Sequence, residues 1–191
     1  MITRLIARLF WAASSFTLTT EHDRSRPSIL LGAPHTSNWD FVYMMAINWR
    51  EQLHVRWLGK HTLFRSWYGP LFRAAGGIPV DRGNPRAVVA DLLAEMERGT
   101  PFNLVITPDG TRTNRTDYWK SGFYRIARAT GMPVTLGFID RPNKRVGLGP
   151  TIDMTGDVKA DMDRIRAFYA DKLGWHPQRR VEPRLRDEED R

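Results

Sequence analysis

The sequence predicts an α/β fold, a single domain in which a central mixed, mostly parallel sheet is flanked by helices. Three observations point there. Short β-prone runs alternate with longer stretches of helical apolar spacing. Polar loops follow the predicted strands at His35, Lys60, Arg82 and 109–112, as they do where a site gathers at the carboxyl edge of an α/β sheet. Finally, 191 residues with 41% hydrophobic content suffice for one sizeable core and leave little for a second. The chain divides into an amphipathic N-terminal helix at 1–14, a main domain at 15–174 and a charged C-terminal tail at 175–191.

Met1 to Ala13 places Ile2, Leu5, Ile6, Leu9, Phe10 and Ala13 on one helical face and Arg4 and Arg8 on the other. Arg8 interrupts any signal-peptide core, and no uncharged apolar run reaches the roughly 18 residues of a spanning helix. The pattern fits a helix lying in a membrane surface with its arginines among headgroups, and equally one packed on the core. Phe16 to Thr20 and Ser28 to Leu31 read as strands around a polar turn. Asn38 to Trp49 reads as a helix with Phe41, Met44, Met45 and Trp49 at helical spacing, His54 to Leu58 as a strand, and Thr62 to Ala75 as broken helix with an aromatic face. Residues 76–82 run from a strand into a turn. Pro85 then opens a helix that turns Val88, Leu92 and Met96 inward and stops at Gly99. Asn103 to Thr107 reads as a buried strand leading into the turn at 108–112, and Trp119 to Thr130 as a basic amphipathic helix. Strands follow at Pro133 to Ile139 and Lys144 to Leu148, joined by a turn. A last helix at Asp157 to Leu173 carries Val158, Met162, Ile165 and Phe168 on one face and is stopped by Gly174. The proline-bearing, charged residues beyond it are expected to end in disorder.

With 29 Lys and Arg against 21 Asp and Glu, the net charge of +8 calls for an anionic partner: a phosphate substrate, lipid headgroups or nucleic acid. The absence of cysteine excludes a disulfide framework, a thiolate zinc site and a thiol nucleophile, and the five histidines are too scattered for a metal cluster. No helix-turn-helix, RNA-binding or zinc module is recognisable, so nucleic acid is not expected.

His35 and Asp40 form the most suggestive pair. On one continuous helix, residues five apart point about 140° away from each other, so the helix has to begin between them. Ser37 fits its N-cap with Asp40 three residues on, which leaves His35 in the incoming turn, within reach of the first-turn carboxylate. A carboxylate on one imidazole nitrogen fixes the tautomer and frees the other as a base toward a hydroxyl. In a plainer reading Asp40 only caps the helix and His35 only closes the turn.

Four blocks in order then resemble the glycerolipid acyltransferase superfamily, the PlsC-like lysophosphatidic acid acyltransferases. Residues 35–40, His-Thr-Ser-Asn-Trp-Asp, resemble the His-x4-Asp catalytic block. Residues 77–82, Gly-Ile-Pro-Val-Asp-Arg, are similar to the second block, and 108–112, Pro-Asp-Gly-Thr-Arg, to the third, with Asp109 standing where Glu is usual. The strand containing residues 131–134 takes the place of the fourth, and Lys60 resembles the basic residue between the first two. The resemblance covers about Leu30 to Phe138. It implies transfer of a fatty acyl group from acyl-CoA or acyl carrier protein to a hydroxyl of a lyso-glycerolipid, lysophosphatidic acid or another acceptor such as lyso-ornithine lipid. His35 would be the base and Asp40 its orienting carboxylate. Lys60, Arg82, Asp109, Gly110, Thr111 and Arg112 would bind substrate, with no metal and no cofactor beyond the donor. The implied location is cytoplasmic, peripheral on the cytoplasmic face of the membrane. A reading from another class, a non-catalytic basic protein of membrane surfaces or nucleic acid, draws on the charge and the Arg-aromatic helices alone.

Overall fold

In the computed structural model, β1 (Thr17–Thr20), β2 (Ser28–Ala33), β3 (Val55–Lys60), β4 (Gly77–Val80), β5 (Asn103–Ile106), β6 (Val134–Asp140) and β7 (Arg145–Ile152) pair into one sheet. Their order is β1-β7-β6-β2-β5-β3-β4. The structure describes residues 2–80, 85–97, 102–109 and 117–189, with the backbone alone at 60, 80, 85–88, 91 and 95. All pairings are parallel except β6 with β7, which are joined by a tight turn. The mixed, mostly parallel sheet expected from the sequence is therefore present.

β2 is central, and its residues alternate between two cores, as the period of two in a strand requires. Ile29 and Leu31 join Leu104, Phe123, Val134, Leu136, Met162 and Ile165 on one face. Leu30 joins Tyr43, Ile47, Val105, Ile139 and Val146 on the other. Both faces of the strand are covered, which is why Ser28–Ala33 reads as a nearly unbroken apolar run rather than an alternating one. The first face is roofed by α4 (Pro85–Glu97), α5 (Gly122–Thr130) and α6 (Val158–Tyr169), the second by α1 (Ile2–Ala13) and α2 (Trp39–Glu51); α3 (Gly69–Ala74) sits near the β4 edge.

Local chemistry sets the helix ends. Asp157 caps α6 by accepting the Ala160 N–H at 3.1 Å, and Gly131 ends α5 at φ +69, a conformation that favours glycine. Two segments depart from the sequence reading. Trp119 lies outside α5, which begins at Gly122; it is nonetheless buried, with its backbone N–H on the Arg184 carbonyl and its indole N–H on the Val181 carbonyl. The period had read burial correctly and conformation wrongly. The charged tail also packs back on the core. Val181 and Leu185 are buried, and Arg166 and Arg180 donate to the carbonyls of Pro183 and Tyr169. Two apolar residues spaced among charges suffice to anchor it, too few to produce a periodic signal.

Helix α1 resolves its two sequence readings by dividing its apolar residues. Ala7 is buried, Phe10 and Trp11 pack on the second core, and the Trp11 indole donates to the Ala46 carbonyl at 3.2 Å. Ile2, Leu5, Ile6 and Leu9 remain exposed.

Candidate active site

β2 leads through a cis Ala33–Pro34 bond into the turn that holds His35. The helix starts one residue later than expected: α2 begins at Trp39, with Asn38 as an N-cap that makes no side-chain bond. Half of the expected capping box forms. Asp40 Oδ2 accepts the N–H groups of Ser37 at 2.9 Å and Thr36 at 2.8 Å. Ser37 Oγ, however, accepts from Trp39 N rather than from Asp40 N. Asp40 is thus the acceptor that closes the turn, and the same oxygen stands 2.9 Å from His35 Nδ1. At that separation the carboxylate is close to the imidazole, although the two make no hydrogen bond. Asp40 thus caps the turn and stands beside the imidazole without a hydrogen bond to it. Among the described residues His35 Nε2 has no hydrogen-bond partner, and the side chain is 19% exposed, open on one side.

Asp109 is placed differently from the sequence expectation. It does not face an open cleft. It is only 2% exposed, and its Oδ2 accepts the His35 backbone N–H at 2.8 Å. Burial, opposed by these hydrogen bonds and the neighbouring imidazole and assisted by the Asp40 charge, pushes its carboxyl up to about 6. The shorter side chain stands next to a buried strand and reaches a backbone group directly, so it acts as a strut beneath the turn.

A third support was invisible to sequence reasoning. Thr36 is fully buried, and its Oγ1 accepts the N–H groups of Trp175 at 3.0 Å and His176 at 3.2 Å. Arg179 donates to the Thr36 carbonyl at 3.4 Å. Gly174 makes the approach possible: it adopts φ +68, and a Cβ there would sit 3.0 Å from Thr36 Oγ1. No local pattern couples residues so far apart in sequence.

Of the other expected site residues, Lys60 ends β3 at the same edge of the sheet, with its side chain outside the described residues. Arg82, Gly110, Thr111 and Arg112 lie outside them altogether. Beneath the turn, between α2 and the sheet, is an apolar cavity of about 70 Å³ lined by Leu30, Tyr43, Ile47, Val105 and Phe138, with Asp40 at its end. Among the described residues no three potential ligands converge to hold a metal.

An imidazole beside a carboxylate at the carboxyl edge of a parallel sheet suits proton transfer from a hydroxyl. The acyltransferase family model matches residues 15–135, spanning the turn and the strands around it. The chain belongs to the acyltransferase family. It is similar to a Streptococcus pneumoniae 1-acyl-sn-glycerol-3-phosphate acyltransferase, 26% identical over 187 residues that cover 92% of this chain and 70% of the relative. It is also similar to the mouse (Mus musculus) 1-acyl-sn-glycerol-3-phosphate acyltransferase epsilon, 34% identical over 101 residues, 49% of this chain and 27% of that one. The crystal structure of the Thermotoga maritima 1-acyl-sn-glycerophosphate acyltransferase, PlsC, shares the fold, with a TM-score of 0.54 at 15% identity over 86% of this chain and 75% of the other. Together these relatives place the chain with the PlsC-like glycerolipid members of the acyltransferase family.

Proposed function

We propose that this acyltransferase moves a fatty acyl group from a thioester donor to the free hydroxyl of a lyso-glycerolipid, lysophosphatidic acid first among the acceptors. The observation that carries the reading is the His35 imidazole, with Nδ1 2.9 Å from Asp40 Oδ2 and Nε2 without a hydrogen-bond partner among the described residues. Nε2 takes the proton as the acceptor oxygen attacks the thioester carbonyl. The C–S bond then breaks, and the proton passes from the imidazolium to the departing thiolate, giving an ester and a free thiol. Asp40 stabilises the imidazolium between these steps. Asp109 and Thr36 position the turn without touching substrate. Lys60, Arg82 and Arg112 supply charge to the acceptor phosphate and the developing oxyanion, and Gly110 and Thr111 join them in binding substrate, as the resemblance implies. No acyl-enzyme is required, and Ser37 Oγ is engaged at the helix start.

The curated relatives' names support lysophosphatidic acid as acceptor. The Asp109 substitution does not argue for another acceptor, because its carboxylate is committed to the His35 backbone. The protein works at a membrane surface, on its cytoplasmic face. No helix among the described residues is long and apolar enough to cross a membrane, whereas α1 offers four exposed apolar side chains beside Arg4 and Arg8.

The test is acceptor-dependent thiol release from acyl-CoA and from acyl carrier protein across a panel of lysolipids, with the acylated product identified. Wild type should show it with lysophosphatidic acid, and His35→Ala should lose about 10²- to 10⁴-fold in kcat. Equal, acceptor-independent rates in both proteins would leave only the non-catalytic reading.

A further inference from the structure

The carboxyl edge of the sheet carries cations on both flanks of His35, and only one flank is used by the reading above. β5, β3 and β4 lie on one side of β2; β6 and β7 lie on the other. β6 runs parallel to β2 and β7 returns antiparallel, so the turn at 141–144 emerges at the same edge as His35. Between this turn, the ends of α1 and α2, and Trp175 there is a cleft of about 560 Å³, lined by Phe16, Trp39, Tyr43, Trp175, Arg141 and Lys144.

Its walls are largely aromatic. Trp175 has Phe16 at 5.5 Å and Trp39 and Tyr43 at 6.0 Å between ring centres. Trp39 is 53% exposed at the rim, and among the described residues the buried Trp175 indole nitrogen has no hydrogen-bond partner. The Arg141 guanidinium lies 5.2 Å from the Trp175 ring centre. Among the described residues the Lys144 amino group has no ion-pair partner, and its backbone is in the left-handed region, at φ 49. The Asp140 carboxylate lies buried beneath the turn and accepts from the Asn143 amide at 2.7 Å, so it does not neutralise the rim.

Aromatic faces beside a guanidinium and an ammonium suit a phosphorylated heterocycle, which stacks on the rings while its phosphates pair with the cations. An anionic lipid headgroup would engage the cations and leave the rings without a stacking partner. The cleft is also wired to the base: the Trp175 N–H bonds Thr36, the neighbour of His35, and Trp39 precedes Asp40. A ligand seated here directs a flexible arm toward His35 from the flank opposite Lys60. Transfer between two phosphorylated substrates calls for two separate sets of cations, and Arg141 and Lys144 lie on the flank of β2 away from the strand end that carries Lys60.

We propose that this cleft binds the adenosine 3′,5′-bisphosphate portion of a CoA thioester, making acyl-CoA the donor. The assignment rests on the acyltransferase reading but can be measured without turnover. Binding of free adenosine 3′,5′-bisphosphate is followed by calorimetry. Kinetics are compared for acyl-CoA, acyl-pantetheine and acyl carrier protein, in wild type, Lys144→Glu, Trp39→Ala and the double variant Arg141→Glu/Lys144→Glu. Wild type and His35→Ala should both bind the nucleotide. The double variant should raise KM for acyl-CoA by about 10- to 100-fold, with no such rise for acyl-pantetheine or for the acceptor. Lys144→Glu, at an exposed position, gives the same selective shift at smaller size if the double variant melts early. An equal KM rise with acyl-pantetheine overturns the assignment. So does wild-type turnover of acyl-CoA without nucleotide binding, or a loss confined to anionic vesicle binding, which would make the cleft a lipid site. Nucleotide binding without turnover of any thioester would instead retire the acyl-transfer reading and leave the cleft assignment standing.

Discussion

The His35 turn and helix α1 are held in opposite ways. Three stretches of chain hold the turn: Asp40 from within, Asp109 from the end of β5, and residues 174–179 through Thr36. Helix α1 rests mainly on α2 and leaves half of its apolar surface open. The contrast matches the two roles proposed above. A general base has to stay within tenths of an ångström of its geometry, whereas a docking helix needs only an accessible apolar face with cations beside it. Substitutions in the turn should therefore change rate and stability together, and substitutions on the open face of α1 should change neither in the absence of a membrane.

The sharpest way to break this contrast is at Asp40. Asp40→Ala removes the partner of the imidazole and strands the Thr36 and Ser37 N–H groups. We expect kcat to fall about 10²- to 10⁴-fold and stability to fall by about 1–3 kcal/mol for each N–H left unpaired, read by turnover and urea unfolding. Asp40→Asn keeps an acceptor for the backbone but not the charge, so most of the stability should return while most of the rate does not. If Asn restored both, Asp40 would be a capping residue alone.

Asp109 gives the next largest effect, in pH dependence. With its carboxyl pushed up to about 6 in the folded chain against an ordinary value of 3.8, its proton is held more tightly when folded. That contribution to stability is complete below pH 3.8 and is lost as pH rises through about 6, amounting to about 3 kcal/mol. Asp109→Asn still accepts the His35 N–H, so the variant should gain on wild type as pH is raised from 4 to 7. Parallel melting curves across that range would contradict the dry placement of Asp109.

At Thr36, replacement by Val removes the acceptor for two backbone donors, and stability should fall by about 1–3 kcal/mol. The discriminating readout is kinetic: kcat should drop, with any change in KM confined to the donor, since the Thr36 hydroxyl also anchors Trp175 in the cleft wall. The smallest effect on the isolated protein belongs to Leu5→Glu with Leu9→Glu, at positions 57% and 63% exposed. Stability should stay within about 0.5 kcal/mol per site, while sedimentation with anionic vesicles is lost. Retained vesicle binding would mean that α1 is not the docking face.

What could be read from the sequence follows the range of the interactions. The β2 run, the α2 pattern and the closeness of His35 and Asp40 are encoded within a few residues, so period and spacing reveal them. Asp109 was legible as a site-edge residue from its place after a strand. Its depth was not, because that depends on how far β5 is buried between β2 and β3. Trp119 showed its burial through spacing but not its conformation, which is set by bonds to Val181 and Arg184. The Thr36 link to Trp175 left no signal at all, since a single hydroxyl meeting a backbone N–H has no period and no composition.

That link has a consequence during synthesis. Its partners are 139 and 140 positions apart, so a nascent chain in which the sheet strands have already emerged still lacks one of the three restraints on its base. Until residues 174–179 have emerged and closed over Thr36, the His35 turn of the growing polypeptide is incompletely held. The turn is therefore completed only by the last-made part of the chain.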